Sequence, residues 1–325
     1  MLYHGRLGAG ILAGALLLAS APAQSFDLQG HRGARGLAPE NTLAAFGAAL
    51  AVGVTTLELD LGVTADDVLV VLHDPYLSPA IARGPDGAWL RAPTPRVRDL
   101  TLAELRRYDV GRIDPASAYA RRWPGQQPVD GERIPTLAEV VALAAARGAD
   151  GVALNVETKL SPETPDATVP PERFAALLVD ELRRLGVTAR TLVQSFDWRT
   201  LREVRRRAPE IATACLTVRQ DWLDNLVPAW TAGLDLAEHG ASVPAMVAAA
   251  GCAVWSPFVG DLHALALHEA KALGLKVIPW TVNEPDVMLR LIDAGVDGII
   301  TDYPDRLRAI MAEKGLPLPP RHPGR

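Results

Sequence analysis

G-H-R-G-A-R-G-L-A-P-E-N-T (residues 30–42) and T-L-E-L-D-L-G-V-T-A-D-D-V-L-V-V-L-H-D-P (residues 56–75) carry the reading of the fold. Residues two apart on a strand point to the same face. Glu58 and Asp60 therefore project side by side, while Leu57, Leu59 and Leu61 face the opposite way into packing. The turn Thr64-Ala65-Asp66-Asp67 is too short for a helical crossover, so Val68–Leu72 folds back antiparallel. A reversal centred near Asp66 sets residue 60 opposite residue 72 and brings His73 beside Asp60. Carboxylates placed mid-strand among apolar residues cost several kcal/mol if left unpaired. They need a cation, and Arg32, Arg35 or a bound metal can supply it.

Working outward, short apolar runs alternate with helical stretches. Strands are expected at Phe26–Gln29, Thr56–Leu61, Val152–Val156, Thr191–Val193, Ile211–Val218, Ala253–Ser256, Leu275–Thr281 and Gly298–Thr301. Helices are expected from Asn41-Thr42 to about Val52 and at Leu137–Arg147, Pro171–Leu185, Arg199–Arg207, Leu262–Leu273 and Pro285–Ala294. Strict alternation of this kind argues for a parallel sheet covered by helices. With the return strand set aside, eight strands suit a closed (β/α)8 TIM barrel. His31, Glu58, Asp60, Glu157, Lys159, Gln194, Trp280, Asn283 and Asp302 then fall at strand C-terminal ends, the rim where such barrels carry chemistry. An open doubly wound sheet would spread them along a line instead.

Length and composition set the outer bounds. The chain has 325 residues and a net charge of -5, from 33 basic and 38 acidic residues, which gives no electrostatic footprint for a nucleic acid. Residues 1–23 read as a signal peptide: Arg6 in a short n-region, an apolar run Leu7–Ala19, and small residues Ala21-Pro22-Ala23. The run is too short for a permanent span, and no cysteine follows to take a lipid. The expected product is exported, periplasmic or secreted, with no stable membrane anchor. Cys215 and Cys252 pair only if their strands neighbour, and two buried thiols fit equally well. Within the barrel unit of residues 24–314, the Pro-, Gly-, Arg- and Asp-rich segment from about 75 to 134 breaks the rhythm and reads as an inserted subdomain over the mouth. Residues 315–325 read as a disordered tail.

Val152–Lys159 adds a third carboxylate at a strand end, with Lys159 two residues beyond Glu157 on the same face. Glu58, Asp60 and Glu157 make an oxygen-rich set suited to one hard divalent cation, Ca2+ or Mg2+. The plain alternative is a salt-bridge network of three acids with Arg32 and Lys159. Cations beside a metal make sense when the ligand carries more negative charge than the cluster neutralises, as a phosphate does. His31 and His73 supply two groups that titrate near neutrality, as proton transfer at a phosphodiester requires. The remaining histidines read as structural or exposed.

Taken in order, H-R-G with P-E-N-T, E-L-D, V-V-L-H-D, N-V-E-T-K, Q-S-F, P-W-T-V-N and G-V-D-G-I-I-T-D-Y-P resemble the motifs of the exported bacterial glycerophosphodiester phosphodiesterases. The resemblance spans nearly all the chain past the leader, including an insertion after H-D. It implies a TIM barrel, a metal on Glu58, Asp60 and Glu157, and acid–base work by His31 and His73. It further implies phosphate contacts from Arg32 and Lys159, with Trp280 lining the glycerol pocket. The implied reaction is hydrolysis of a small glycerophosphodiester to sn-glycerol 3-phosphate and an alcohol. One departure is Asp66-Asp67 where the family's hairpin turn is usually Asp-Gly. Asn41 or Thr42 is expected to cap the first helix, Glu40 to cap or support the site in preference to touching the metal or orienting His31, and Asp302 to hold the closing strand or Arg32. Rival readings are a metal-independent phosphoinositide phospholipase C, a lysophospholipase D or sphingomyelinase D-like enzyme, and an exported binding protein on an inactive barrel. The first needs no carboxylate trio, the second would differ at the mouth, and the third needs neither histidine.

Overall fold

The computed structural model describes residues 26–324, with Met1 and His4 beyond them, so the leader lies outside the described residues. Strand β1 (Asp27–Gly30) leads to α1 (Leu43–Val52), then β2 (Thr56–Val63) and its return strand β3 (Leu69–Val71). After the insertion, which carries the single turn α2 (Leu102–Leu105), come α3 (Leu137–Ala146), β4 (Ala153–Thr158), α4 (Pro171–Arg184), β5 (Thr191–Ser195), α5 (Trp198–Arg207) and β6 (Ala212–Thr217). A small hairpin, β7 (Arg219–Gln220) with β8 (Leu223–Asp224), precedes α6 (Val243–Ala249), β9 (Val254–Pro257) and α7 (Ala264–Ala272). The chain ends with β10 (Lys276–Val277), α8 (Pro285–Ala294), β11 (Gly298–Thr301) and α9 (Pro304–Glu313).

Eight parallel strands run in the order β10-β9-β6-β5-β4-β2-β1-β11, and β3 lies off this path against β2. The seam between β10 and β11 is bridged by Asp297 N donating to Val277 O and Ile300 N to Pro279 O, at 2.9 and 3.0 Å. The result is a near-closed TIM barrel. Strand β10 stops well short of the apolar run Leu275–Thr281 because Pro279 has no N–H for a ladder. The hairpin register is as expected: Leu61 pairs with Val71, and Leu72 N donates to Asp60 O. Asp67 takes a φ of 60°, so an aspartate fills the left-handed turn position where glycine is usual.

Alternation divides each strand between two environments. Leu57, Leu59, Leu61, Leu154, Val156 and Val193 pack outward against the helices in the main core. Helix α4 shows why such helices form: Phe174, Ala175, Leu178, Val179 and Leu182 make one buried stripe behind Pro171 at its first turn. Helices α1 and α3 begin on capping threonines, Thr42 and Thr136, the latter in a capping box with Glu139. Cys215 and Cys252 are joined by a disulfide with Cα atoms 5.9 Å apart, as the pairing of β6 with β9 permits.

The insertion has a small core of its own, Leu77, Ala82, Val97, Leu105, Val110 and Ile134, continuous with Val70 of β3. Beyond Gly315 the tail forms no helix or strand, yet it is docked rather than loose. His322 N donates to Leu50 O, and Arg308 Nη1 donates to Pro319 O.

Candidate active site

The loop after β1 is the tightest part of the site. A Cβ on Gly33, whose φ is 84°, would sit 2.6 Å from the Ala45 carbonyl carbon, so only glycine lets this loop lie on α1. That approach aims Arg32 N at Glu58 Oε2, 2.7 Å away, with Arg32 itself held at a φ of 49°. A non-glycine residue in that region is strained, and strain of this kind collects at functional sites. Asn41, at a φ of 57°, does not cap α1; Thr42 does. Asn41 Nδ2 instead donates to Asp60 Oδ2 at 2.9 Å.

Glu58, Asp60 and Glu157 each offer an oxygen within 4.8 Å of the others, and all three are buried. Glu58 Oε1 accepts from Gln194 Nε2 at 2.8 Å. Glu157 Oε1 accepts from Lys159 Nζ at 2.7 Å. Asp60 Oδ1 is buried and has no hydrogen-bond partner, as is Arg32 Nε, which lies 3.3 Å from Asp60 Oδ2. An orphaned carboxylate oxygen beside two more carboxylates is the donor set a hard divalent cation takes, so the residues fit the expected metal.

The protonation pattern agrees. Burial, then the charge of Asp60, pushes Glu58 well above the usual carboxylate range. Burial also pushes Glu157 up to about 7, against the pull of Lys159. Burial alone would raise Asp60 too, but Arg32, His73 and Lys159 outweigh it and hold Asp60 well below its ordinary range. Three close carboxylates are not all ionised without a cation among them.

The two histidines face this cluster from different elements. His31, 9% exposed, has Nδ1 2.7 Å from Asp302 Oδ1 and Nε2 4.0 Å from Glu58 Oε2. Burial lowers its pKa to about 4 although Asp302 pulls the other way, so the ring is neutral near pH 7. His73 has Nδ1 2.6 Å from Asp74 Oδ1 and Nε2 3.0 Å from Lys159 Nζ. An ammonium only donates, so His73 Nε2 accepts and its proton sits on Nδ1 toward Asp74. Burial, with the charges of Arg32 and Lys159, lowers the pKa of His73.

The sequence named Asp302 and Glu40, the latter as support for the site, but not their partners, and it named no residue of the insertion for the site. Asp302 holds Arg35, with Nε 2.7 Å from Oδ1, as well as His31, and it does not hold Arg32. Glu40 takes Arg32 Nη1 at 2.5 Å and also accepts from Tyr119 of the insertion, so it anchors Arg32 rather than capping a helix. The insertion grips the same loop at three further points. Gln126 Nε2 donates to Arg35 O, Gln127 N donates to Leu37 O, and Trp123 lies under the Arg35 guanidinium at 4.5 Å. The polar sequence of the insertion gave no sign of which residue would reach inward.

His31, Arg32, Glu58, His73, Glu157 and Lys159 line a cavity of about 950 Å3. Aromatic residues line it too. Trp280, fixed by Nε1 donating to Ser256 O, is met by Phe196, Phe258 and Trp222 with ring centroids 5.2, 5.4 and 6.4 Å away. Trp222, at the tip of the β7–β8 hairpin, is 61% exposed. The charged and aromatic linings adjoin, with Lys159 Nζ 5.6 Å from the centroid of the Phe196 ring.

Residues 31–306 match the glycerophosphoryl diester phosphodiesterase family. A glycerophosphodiester phosphodiesterase of Caldanaerobacter subterraneus subsp. tengcongensis is 30% identical over 285 residues, covering 88% of this chain and 97% of that one. A crystal structure from Silicibacter pomeroyi bearing the same family name superposes with a TM-score of 0.81 at 38% identity, covering 91% of this chain and 96% of that one. A phosphodiesterase of Oleispira antarctica, solved with the product sn-glycerol-3-phosphate, gives a TM-score of 0.64 at 25% identity, with coverage of 87% and 96%.

Proposed function

The chain belongs to the glycerophosphoryl diester phosphodiesterase family, and from that premise we propose that it hydrolyses glycerophosphodiesters to sn-glycerol 3-phosphate and an alcohol by two-histidine acid–base catalysis. The observation that carries the reading is a cluster of three buried carboxylates, two of which line one cavity together with Arg32, Lys159 and the imidazoles of His31 and His73. A divalent cation on Glu58, Asp60 and Glu157 would polarise a phosphoryl oxygen as a Lewis acid. Arg32 and Lys159 bind the same anionic centre and stabilise the charge that builds on its oxygens, a contribution of about 2.7–4 kcal/mol per donor in comparable sites.

His31 and His73 handle the protons. His31 donates its Nδ1–H to Asp302, which fixes the tautomer and leaves Nε2 a bare lone pair toward the carboxylate cluster. His73 is oriented in the same way by Asp74, and its Nε2 shares Lys159. One ring, bare at Nε2, takes the proton of the attacking oxygen; the other delivers a proton to the departing alkoxide, a role that requires that ring to enter the step protonated at Nε2. Each transfer contributes about 10²–10⁴-fold. The aromatic wall at Trp280 offers the carbon face of glycerol an apolar surface. Export is part of the proposal, since the Cys215–Cys252 disulfide suits an oxidising compartment. Among the described residues no helix is long and apolar enough to cross a membrane.

The deciding experiment is release of glycerol 3-phosphate from glycerophosphocholine, with chelator and after add-back of Ca2+ or Mg2+. Activity lost to chelator and restored by metal supports the reading; turnover indifferent to chelator removes the metal from it. A second reading, release of the headgroup from a single-chain lysophospholipid, is favoured by the exposed Trp222 beside the cavity. Lysophosphatidylcholine in the same assay separates the two.

A further inference from the structure

The interior of a parallel barrel is ordinarily filled by branched apolar side chains. The half beneath β6, β9, β10 and β11 obeys that rule, with Ala214, Val254, Ile278 and Ile300 in one cluster. The half beneath β1, β4 and β5 does not. Gln29, Asn155 and Gln194 occupy it at no more than 2% exposure. Buried amides are unfavourable unless their hydrogen bonds are made.

Here they are joined in a line. Gln29 Nε2 donates to Asp27 Oδ2 at 2.7 Å, and Asn155 Nδ2 donates to Gln29 Oε1 at 2.7 Å and to Gln194 Oε1 at 2.9 Å. Gln194 Nε2 donates to Glu58 Oε1 at 2.8 Å. When Glu58 holds the cation it is ionised and only accepts, so Gln194 turns its NH2 to Glu58 and its carbonyl to Asn155. Asn155 must then present its NH2 to both neighbours. It does so although its own Oδ1 is left buried without a partner, a loss of the kind that costs about 1–3 kcal/mol. The line runs between two carboxylates, Asp27 at one end and Glu58 at the other, and it holds the Gln194 NH2 on Glu58.

We propose that Gln194, held by Asn155, is a positioning residue that fixes Glu58 for the divalent cation. The inference rests on reading Glu58, Asp60 and Glu157 as the cation site. Glu58 has one side-chain donor, Gln194 on Oε1, and one backbone donor, Arg32 N on Oε2. With Gln194 gone, only one oxygen is tethered and the carboxylate is free to turn about that bond. Hydrogen-bond partners of ligating groups usually contribute about 10–100-fold to metal affinity.

The test is calorimetric titration of Ca2+ and of Mg2+ into the folded full chain and into Gln194→Met, which keeps the volume and removes the donor. A Kd raised tenfold or more in the variant supports the assignment; a smaller change overturns it. A purely structural role would lower the melting temperature of the metal-free protein and leave Kd alone. Should Gln194→Met not fold, Gln194→Asn, which withdraws the amide by one methylene, is judged by the same criterion. Failure of the parent chain to bind either ion would instead remove the cation site itself, so the two failures are distinct.

Discussion

Asp302→Asn keeps the volume of a buried side chain and removes its charge, and its consequences can be worked from four contacts. Asp302 accepts from His31 Nδ1, Arg35 Nε, Arg35 Nη2 and Asn283 Nδ2 at 2.7, 2.7, 3.2 and 2.7 Å. An amide offers one accepting oxygen and turns its NH2 toward donors. His31 then loses the acceptor that fixes its tautomer, and kcat is expected to fall by about 10²–10⁴-fold, the share of a positioned proton acceptor. Arg35, buried beside it, keeps no full negative partner at this position. Breaking one half of a buried pair costs about 3–5 kcal/mol, which should be visible in urea unfolding.

The pH dependence has a definite sign. Burial opposes ionisation of Asp302, but His31 and Arg35 outweigh it and hold the carboxyl well below its ordinary range. The native state thus binds fewer protons than the unfolded one near and below a pKa of about 3.9. The contribution is fully present above that value and is lost progressively as pH falls from there toward the much lower folded value, so the gap between parent and variant should begin to narrow below about pH 4. Initial rates on glycerophosphocholine and unfolding curves from pH 7 to pH 3 supply both readings. A folded Asp302→Asn enzyme with kcat within tenfold of the parent would refute the link between Asp302 and a catalytic His31.

Three further outcomes follow. Because burial raises Glu157 to about 7, cation binding below that pH expels its proton; affinity for Ca2+ or Mg2+ should climb from about pH 5 to pH 7, read by calorimetry in buffers of different ionisation enthalpy. In the metal-free protein the same shift makes stability fall as pH rises through that window, since there the native state binds the extra proton. The disulfide closes a separation of 37 residues, so Cys215→Ser with Cys252→Ser should lose about 3–4 kcal/mol in urea unfolding. Equal stability of parent and double variant would count against that bridge.

What the sequence made legible was whatever depends on short range. Alternation puts Glu58 and Asp60 on one face, a four-residue turn sets His73 opposite them, and the strand-end position of Glu157 follows from its own apolar run. Contacts made by closure were not legible. His31 and Asp302 are 271 residues apart and meet only because β1 and β11 are neighbours. The sequence placed Asp302 on the rim but offered no reason to pair it with His31 and Arg35 rather than Arg32. Tyr119 reaches Glu40 from an irregular segment without periodicity, where no residue is distinguished from the next. Helices α6 and α9 went unread; α6 is only seven residues long, too short for a periodic signal, whereas α9 matches in length and proline start a helix that was read.

Charge explains why so many of these unread residues are needed. Glu40, Glu58, Asp60, Glu157 and Asp302 are buried around the cavity, against Arg32, Arg35 and Lys159 as permanent cations. Five carboxylates against three cations leave a deficit of two positive charges, the charge of one divalent ion. Without that ion the chain makes the same adjustment with protons: Glu58 and Glu157 are the two carboxyls whose pKa values are pushed up, while Glu40, Asp60 and Asp302, each facing an arginine, are pushed down. The arginines are thus spent on Glu40, Asp60 and Asp302, which leaves the cation site two acids that give up protons when the ion arrives. Arg32 remains divided between Glu40, 2.5 Å from its Nη1, and Asp60, 3.3 Å from its Nε. Tyr119 and Glu40 matter on this account because they hold Arg32 in place without fully neutralising it.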